Sequence, residues 1–99
     1  MAWAIEILPR AEKELAHAED WYEARREGLG RRFLDEVEAM LARIALGPAR
    51  FPRWLEDARY QRAVLSRFPY VVMFLADQRT LAVTVVAVAH TSQKPGYWK

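Results

Sequence analysis

The sequence predicts an α+β fold in which a helical hairpin packs on a mainly antiparallel sheet. Two amphipathic segments joined by a short glycine-containing turn indicate the hairpin, because helices with so short a connection pack antiparallel. Three later apolar runs separated by short turns indicate sheet strands. With a short apolar strand at the N-terminus, the predicted element order is β-α-α-β-β-β, followed by a short C-terminal tail.

Chain length and composition limit the kind of protein this is. The 99 residues fit one domain spanning residues 1–99, and 53% of them are hydrophobic, enough for an ordered core. The chain contains no cysteine, which excludes a disulfide framework and a thiolate metal site and suits a reducing cytoplasm. We see neither a secretory leader nor an apolar run of membrane length, so we expect a cytoplasmic protein without membrane contact.

Charge is distributed unevenly along the chain. The net charge is only +2, but residues 1–50 carry 8 basic and 10 acidic side chains, whereas residues 51–99 carry 7 basic and 3 acidic ones. A basic surplus in the predicted sheet is compatible with a polyanion or an acidic protein partner. Ordinary solvation of the surface explains it equally well.

The first strand and the first helix follow from apolar periodicity. Trp3, Ile5 and Ile7 alternate with other residues and share one strand face. Pro9 ends the strand and suits the first turn of a helix. The helix is expected from Ala11 to about Arg26, with its apolar stripe at helical spacing. The stripe consists of Ala11, Leu15, Ala18 and Tyr22.

The second helix lies between two glycine-containing breaks. Gly28-Leu29-Gly30 ends the first helix, and the next helix is expected from about Arg31 to Leu46. Gly47-Pro48 then stops it, in the order typical of a helix C-terminus. The later sheet is the only large surface that the two stripes can cover. The stripe of the second helix consists of Phe33, Val37, Met40, Leu41 and Ile44.

The C-terminal half predicts a three-stranded meander. Residues 49–58 are expected to form a connecting loop, which Phe51 and Trp54 dock onto the body. Two of the following strands are apolar on both faces, so the face away from the helices must be covered by the C-terminal tail, by Trp54 or by another protein. The three strands are expected at Arg59–Leu65, Tyr70–Ala76 and Leu81–Ala89.

A series of short motifs along the meander resembles one known family. The series consists of Arg62, Arg67-Phe68-Pro69-Tyr70, the apolar strand that ends in His90, Pro95 and Trp98. In order and spacing it is similar to the RelE/ParE superfamily, the toxins of bacterial type II toxin–antitoxin systems, often labelled plasmid stabilisation proteins. The "RFPY" segment and the His-to-Trp pattern resemble ParE-like members more closely. The resemblance covers nearly the whole chain and implies the β-α-α-β-β-β fold of that superfamily.

The resemblance implies a growth-inhibiting toxin that a cognate antitoxin holds inactive. ParE-like members poison DNA gyrase, whereas RelE-like members cut messenger RNA on the ribosome. The resemblance also allows a homodimer through the helices. A third interpretation is a degenerate, non-toxic module that keeps only antitoxin binding.

Three residues are candidates for catalysis if the chain is a metal-independent endoribonuclease. Attack by the RNA's own 2′-hydroxyl needs a base, phosphate-binding cations and an acid. By resemblance, Arg62 matches a basic strand position and Tyr97 a late tyrosine, while His90 is a candidate because histidine is the side chain most often used for acid–base catalysis. However, Val71 and Thr91 stand where the active ribonucleases carry arginine. The structural alternatives are a hydrogen bond that closes the last strand for His90, and a salt bridge or antitoxin contact for Arg62.

Three further residues are candidates for binding a nucleic acid or a target protein. Arg67 and Lys94 supply cations, and Trp98 is suited either to stacking on a base or to covering a sheet face. No residue pattern indicates a metal site or a cofactor, and His17 is expected to be solvated. With two ribonuclease cations missing, the sequence favours a ParE-like toxin that acts by binding its target.

Overall fold

The computed structural model describes residues 2–99 and contains two helices packed on a five-stranded sheet. The strand order is β1-β5-β4-β3-β2, in which β1 runs parallel to β5 and all other neighbours are antiparallel. This arrangement confirms the predicted α+β fold. The elements are β1 (Ala4–Ile7), α1 (Pro9–Arg25), α2 (Leu29–Leu46), β2 (Arg53–Trp54), β3 (Asp57–Val64), β4 (Tyr70–Asp77) and β5 (Ala82–His90), with a 3-10 turn at Pro48–Arg50.

The prediction of a connecting loop over residues 49–58 was wrong in part. The segment contains the short edge strand β2 and the start of β3, joined by the two-residue turn Leu55-Glu56. The local composition gave no strand signal there. The strands form because pairing with a neighbouring strand can override a weak intrinsic preference. Both helices also begin two residues earlier than expected, the first at Pro9 in the first helical turn.

The main core lies between the helical hairpin and one sheet face. Ala11, Ala18 and Tyr22 of the predicted α1 stripe are buried, and Leu15 is half-buried against the same core. From the sheet, Ala63, Val72, Phe74, Val83, Val85 and Val88 point into this core. An aromatic group that includes the "RFPY" residues closes one end of it. Its members, Tyr22, Phe33, Phe68 and Tyr70, contact one another mainly edge to face.

A carboxylate closes the turn between the two helices. The side chain of Glu23, near the end of α1, accepts hydrogen bonds from the backbone N–H of Gly28 at 2.8 Å and of Gly30 at 3.0 Å. The first N–H groups of a helix lack partners within it and favour negative charge. Gly28 has a φ of +86°, so the turn also needs a residue that tolerates the left-handed conformation. The hairpin geometry therefore rests on residues from both helices.

The other sheet face carries a second, smaller core under the C-terminal tail, residues 91–99. A β-bulge opposite Met73 and Phe74 adds one residue to β5, so that Val86 and Ala87 both face the tail. Tyr97, Trp98 and Trp54 pack on this face. The expectation that the tail or Trp54 covers the second apolar face is confirmed. Within residues 2–99 no helix is long and apolar enough to span a membrane.

Candidate functional site

A groove of about 1010 Å³ lies between α1 and the C-terminal end of β5. We call it the α1–β5 groove. Its helical wall carries two cations and exposed Trp21, and its sheet wall carries Tyr70 and His90. Both histidines of the chain line it. The lining residues are Arg10, Lys13, Glu14, His17, Trp21, Tyr22, Pro69, Tyr70, Val88, His90 and Gln93.

The floor of the groove contains a strand edge that has no neighbouring strand. The pairing of β1 with β5 ends at Ile7 and Val85, because the chain then turns into α1. Beyond that point, the outward N–H groups of β5 bind side chains. Glu14 Oε1 accepts from the N–H of Val88 at 2.8 Å, and Gln93 Oε1 accepts from the N–H of His90 at 2.8 Å. Two side-chain oxygens thus occupy the places of strand carbonyls.

Glu14 joins helix, strand and tail at this edge. Its second carboxylate oxygen, Oε2, accepts a hydrogen bond from the hydroxyl of Tyr97. Burial raises the pKa of the Tyr97 phenol well above its ordinary value, and the hydrogen bond to Glu14 and the carboxylate charge raise it further. The phenol is therefore protonated at neutral pH and donates a hydrogen bond to the Glu14 carboxylate. Arg10 also holds this part of the tail, since its Nη1 donates to the carbonyl of Tyr97 at 3.3 Å.

His90 lies on the helix side of the sheet, beside Tyr70, with the two ring centroids 5.1 Å apart. Its Nδ1 accepts a hydrogen bond from the backbone N–H of Ser92 at 3.0 Å and lies 2.7 Å from Ser92 Oγ. In a neutral ring the proton then sits on Nε2, which makes that nitrogen a donor. His90 therefore serves the turn after β5, as the structural alternative expected, and would have to give up the Ser92 contact to accept a proton at Nδ1.

Arg62 lies on the opposite side of the sheet from His90. It is exposed on β3, on the same face as Tyr60, which packs under the tail. Arg62 pairs with Met73 of β4, and Met73 pairs with Ala87 of β5. Two strand spacings, about 10 Å, therefore separate its backbone from β5. Arg62 forms no ion pair within residues 2–99.

The structure thus brings only some of the predicted site residues together. Tyr97 and Trp98 pack on the same sheet face as Arg62. His90 lies in the α1–β5 groove, on the opposite, helix-covered face. Arg67 is exposed in the β3–β4 connection, where Glu36 accepts from its backbone N–H at 3.2 Å. Lys94 is exposed in the tail.

Trp98 packs in an aromatic group on the second sheet face. Its ring centroid lies 5.2 Å from that of Trp54 and 6.2 Å from that of Tyr60. Its indole Nε1 is buried and has no hydrogen-bond partner in the described chain. In this position Trp98 covers the second sheet face, as its structural alternative predicted.

An ion-pair cluster fixes the last residue of the tail to the β2–β3 hairpin. Asp57 Oδ2 lies 2.6 Å from Arg59 Nη2 and 3.4 Å from Lys99 Nζ. The hydrogen bond from Arg59 is the main cause that holds the pKa of the Asp57 carboxyl well below its usual range, and the Lys99 contact adds to it. Lys99 also lies over the Trp54 ring, with Nζ 5.7 Å from the ring centroid.

Sequence reasoning missed Glu14, Gln93 and Arg10 as parts of this region. The partners of Glu14 are 74 and 83 positions away, so no local pattern indicates them. Glu14 looks like one of several acidic residues on the solvated side of α1. A search of the described part of the chain finds no cluster of three or more His, Asp or Glu side chains that could hold a metal ion.

The fold of this chain is similar to that of toxins whose structures have been solved. The chain is similar to a chain of the chromosomal ParDE toxin–antitoxin system from Pseudomonas aeruginosa, with 12% identity, a TM-score of 0.76, and 92% of this chain and 98% of that chain covered. It is also similar to a chain of the RelBE2 toxin–antitoxin complex from Mycobacterium tuberculosis, with 17% identity, a TM-score of 0.68, and coverage of 94% and 95%.

A third similar structure is an arginine-to-alanine double mutant of the Escherichia coli toxin RelE in the free state. It is 14% identical to this chain, with a TM-score of 0.63 and coverage of 93% of this chain and 86% of that chain. These likenesses establish the fold. A comparison with curated proteins finds no match.

The family model described as the ParE toxin of the type II toxin–antitoxin system parDE matches residues 5–95. The match includes both helices, all of the sheet except Ala4, and the start of the tail. This chain therefore belongs to the ParE toxin family and is a ParE/RelE-type toxin of a toxin–antitoxin system.

Proposed function

We propose that this toxin acts in the bacterial cytoplasm by binding and inhibiting DNA gyrase, without catalysis of its own, and that a cognate antitoxin neutralises it. The observation that carries the proposal is the division of the ribonuclease candidates between the two sheet faces. Arg62 is exposed on one face, and His90 faces the α1–β5 groove on the other. An RNA-cleaving site needs its base, acid and cations around one phosphate.

The bonding of the individual candidates supports the same proposal. The Tyr97 hydroxyl donates its hydrogen bond to Glu14, and a phenol with a raised pKa is a weaker acid than a free one. The Nδ1 of His90 is already occupied by Ser92. Val71 packs with the second core, and neither Val71 nor Thr91 supplies a cation. Tyr97 and His90 would each have to change partners before they could act on RNA.

The test is an assay of supercoiling by purified DNA gyrase, with the purified toxin added alone or as its antitoxin complex. We expect the free toxin to inhibit supercoiling and the complex to leave it unchanged. In a second reaction, translating ribosomes with messenger RNA should show no new cleavage. Codon-specific cleavage together with unimpaired supercoiling would replace this proposal with the RelE-like endoribonuclease.

Expression in a bacterium with a DNA-damage reporter supplies the cellular counterpart. Growth arrest with reporter induction, rescued by the antitoxin, agrees with gyrase inhibition. Arrest with a silent reporter and failing protein synthesis agrees with the ribonuclease. Soluble expression without arrest would leave the degenerate binding module. The homodimer stays a prediction, which light scattering on the free toxin can test.

A further inference from the structure

We propose that a cluster of four exposed arginines at the β2 edge of the sheet binds the phosphate backbone of duplex DNA. We call this cluster the arginine edge, and it consists of Arg43, Arg50, Arg53 and Arg62. The proposal goes beyond the inhibition of gyrase, because the edge would bind DNA with no enzyme present. Three features carry it. They are the position of the arginines, their charge, and the packing of the aromatic rings beside them.

All four arginines are attached to one short segment, residues 50–53, in which the chain passes from the 3-10 turn into β2. Two of them belong to that segment. The guanidinium carbon of Arg43, near the end of α2, lies 5.6 Å from the ring centroid of Phe51. The backbone N–H of Arg62, in β3, donates to the carbonyl of Pro52 at 3.0 Å. The fold thus gathers arginines from a helix, a turn and two strands at one edge of the sheet.

The net positive charge of the chain comes from this part of the sequence. Residues 43–62 contain five arginines and two acidic residues, whereas the rest of the chain contains 10 basic and 11 acidic residues. One of the two acids, Asp57, is already paired with Arg59 and Lys99. Within residues 2–99, none of the four arginines of the edge forms an ion pair. Their charge is therefore available to an anionic partner.

The side chains of the arginine edge suit phosphate groups. A planar guanidinium can donate two parallel hydrogen bonds to the oxygens of one phosphate. Arg53 Nη1 donates to the carbonyl of Ala58 at 2.8 Å, and Arg43 Nη1 donates to Met40 Sδ at 3.9 Å. Each of these contacts uses one of the five N–H donors of a guanidinium, so the others stay free for a ligand. The contacts also hold the two side chains in place, which lowers the entropy lost on binding.

The aromatic rings beside the arginines favour a duplex over a single strand. Proteins bind single strands largely by stacking the bases on aromatic side chains. Phe51 is half-buried, with its ring centroid 5.9 Å from that of Phe74, and Trp54 is half-buried against Trp98 at 5.2 Å. Both rings are thus engaged by the body of the protein. A duplex presents its phosphates outward and is bound through them without any stacking on its bases.

An acidic protein surface fits the arginine edge less well than DNA. Protein interfaces surround an apolar centre with a polar rim, whereas DNA interfaces are more polar and much more positively charged. At the centre of the edge lie half-buried Phe51 and the small ring of Pro52. The exposed leucines flank this centre in the sequence, with Leu46 at the end of α2 and Leu55 in the β2–β3 turn. The centre of the edge is therefore cationic rather than apolar.

The experiment measures binding of the purified free toxin to a fluorescein-labelled duplex of mixed sequence, of about 20 base pairs, by fluorescence anisotropy. The antitoxin is left out, so that it adds no binding of its own. Four phosphate contacts predict a slope of about −3.6 when the logarithm of the binding constant is plotted against that of the salt concentration. We therefore expect the Kd to rise about a hundredfold between about 50 and 200 mM salt. One labelled strand of the same sequence is the single-strand probe, and it should bind more weakly.

A paired substitution tests whether the arginine edge makes the contact. We expect Arg50→Ala/Arg53→Ala to raise the Kd for the duplex about tenfold and to reduce the salt slope by about 2. Arg26→Ala/Arg79→Ala removes two exposed arginines outside the edge and is the matched control. It should raise the Kd by no more than about twofold, because distant charges are screened by salt. Circular dichroism on both variants verifies the fold.

The outcomes separate this proposal from the proposed function. If the toxin does not bind the duplex at low salt, or if the control variant loses as much affinity as the edge variant, the DNA site is overturned. Tighter binding of the single strand, or equally tight binding of polyglutamate, would overturn the assignment to duplex DNA. Binding that only the edge variant weakens supports the proposal. If the same toxin leaves gyrase supercoiling unchanged, only the proposed function fails.

Discussion

At the scale of single residues, Glu14 connects the first helix, the last strand and the tail. One carboxylate satisfies a backbone N–H on β5 and the hydroxyl of Tyr97 in the tail. Its position at the border of the α1 stripe lets it reach the free edge of β5. Because both partners are partly buried, their hydrogen-bonding groups depend on this single side chain.

Substitution of Glu14 should therefore destabilise the protein more than substitution of a neighbouring acid. We expect Glu14→Ala to lower the free energy of unfolding by about 1–3 kcal/mol, since it leaves the N–H of Val88 and the hydroxyl of Tyr97 without an acceptor. Glu12→Ala, on the exposed side of the same helix, is the control and should change stability little. Urea unfolding measures both. Equal losses would show that Glu14 acts only through helix propensity.

The raised pKa of Tyr97 predicts a loss of stability in alkali. A group whose pKa is higher in the folded protein stabilises it below the unfolded pKa, and the contribution fades as the pH rises toward the folded pKa. The unfolded value is about 10 for tyrosine. We expect the free energy of unfolding to fall as the pH rises above about 10, and to fall less in Tyr97→Phe. Parallel curves for the two proteins would contradict this.

In Tyr97→Phe, we expect Tyr22 and Tyr70 to cause the part of the stability loss at high pH that remains. Burial raises the pKa of both phenols as well. Tyr97→Phe should therefore reduce the alkaline loss without abolishing it. Denaturant unfolding at several pH values between 8 and 11 separates the contributions, with Tyr60→Phe as a control tyrosine whose hydroxyl is not bonded to Glu14.

At the scale of secondary-structure elements, a side chain of α1 caps the N-terminus of α2 and so stabilises the helical hairpin. Glu23 from α1 accepts from two N–H groups at the start of α2. The two helices also approach closely at Gly30, where an added Cβ would lie 2.7 Å from the backbone oxygen of Glu19. The second glycine of the turn is thus needed for close packing, and Gly28 for its positive φ.

Because of this cap, we expect the replacement of two acidic residues near the turn to change the free energy of unfolding by different amounts. We expect Glu23→Ala to lower the free energy of unfolding by about 1–2 kcal/mol, because two N–H groups at a helix N-terminus lose their acceptor. Glu27→Ala, exposed in the same turn, should change it by less than about 0.5 kcal/mol. Thermal unfolding followed by circular dichroism compares them. A larger loss for Glu27→Ala would show that the turn is stabilised in another way.

At the scale of the whole molecule, the sheet is covered on both faces by different parts of the chain. The helical hairpin covers one face, and the tail with Trp54 covers the other. The tail is attached by Tyr97 to Glu14, by Arg10 to the Tyr97 carbonyl, and by Lys99 to Asp57. Both faces of β4 and β5 are therefore covered, which explains why these strands are mostly apolar.

The covering role of the tail predicts the result of truncation. We expect deletion of residues 94–99 to uncover the second core around Met73 and Val86, to increase binding of a hydrophobic dye, and to lower the melting temperature. Lys99→Ala removes the contacts of the Lys99 side chain with Asp57 and the Trp54 ring but keeps the rest of the tail, and should leave dye binding unchanged. Dye fluorescence and differential scanning calorimetry provide the readouts. A truncated protein that melts like wild type would show that the tail contributes no stability.

Much of the fold could be predicted from local patterns. The stripe of α1, the glycine turn and the alternation along β3 each depend on residues a few positions apart, so a window of sequence contains their cause. The strand β2 could not be predicted, because its two residues form a strand only by pairing with β3. For the site, the sequence predicted Tyr97 and His90 only as catalytic candidates and did not indicate Glu14, whose role depends on contacts across the chain.

The sequence by itself determined the α+β class, the order of the helices and main strands, and the family resemblance, because periodicity and motif order are properties of the chain. Only the tertiary structure decided which face each polar residue occupies. The β-bulge in β5 is the physical reason: one extra residue shifts the alternation, so that Val88 points to the helix core and its N–H to the open edge. His90 and Arg62, both predicted for one site, are thereby placed on opposite sides of the sheet.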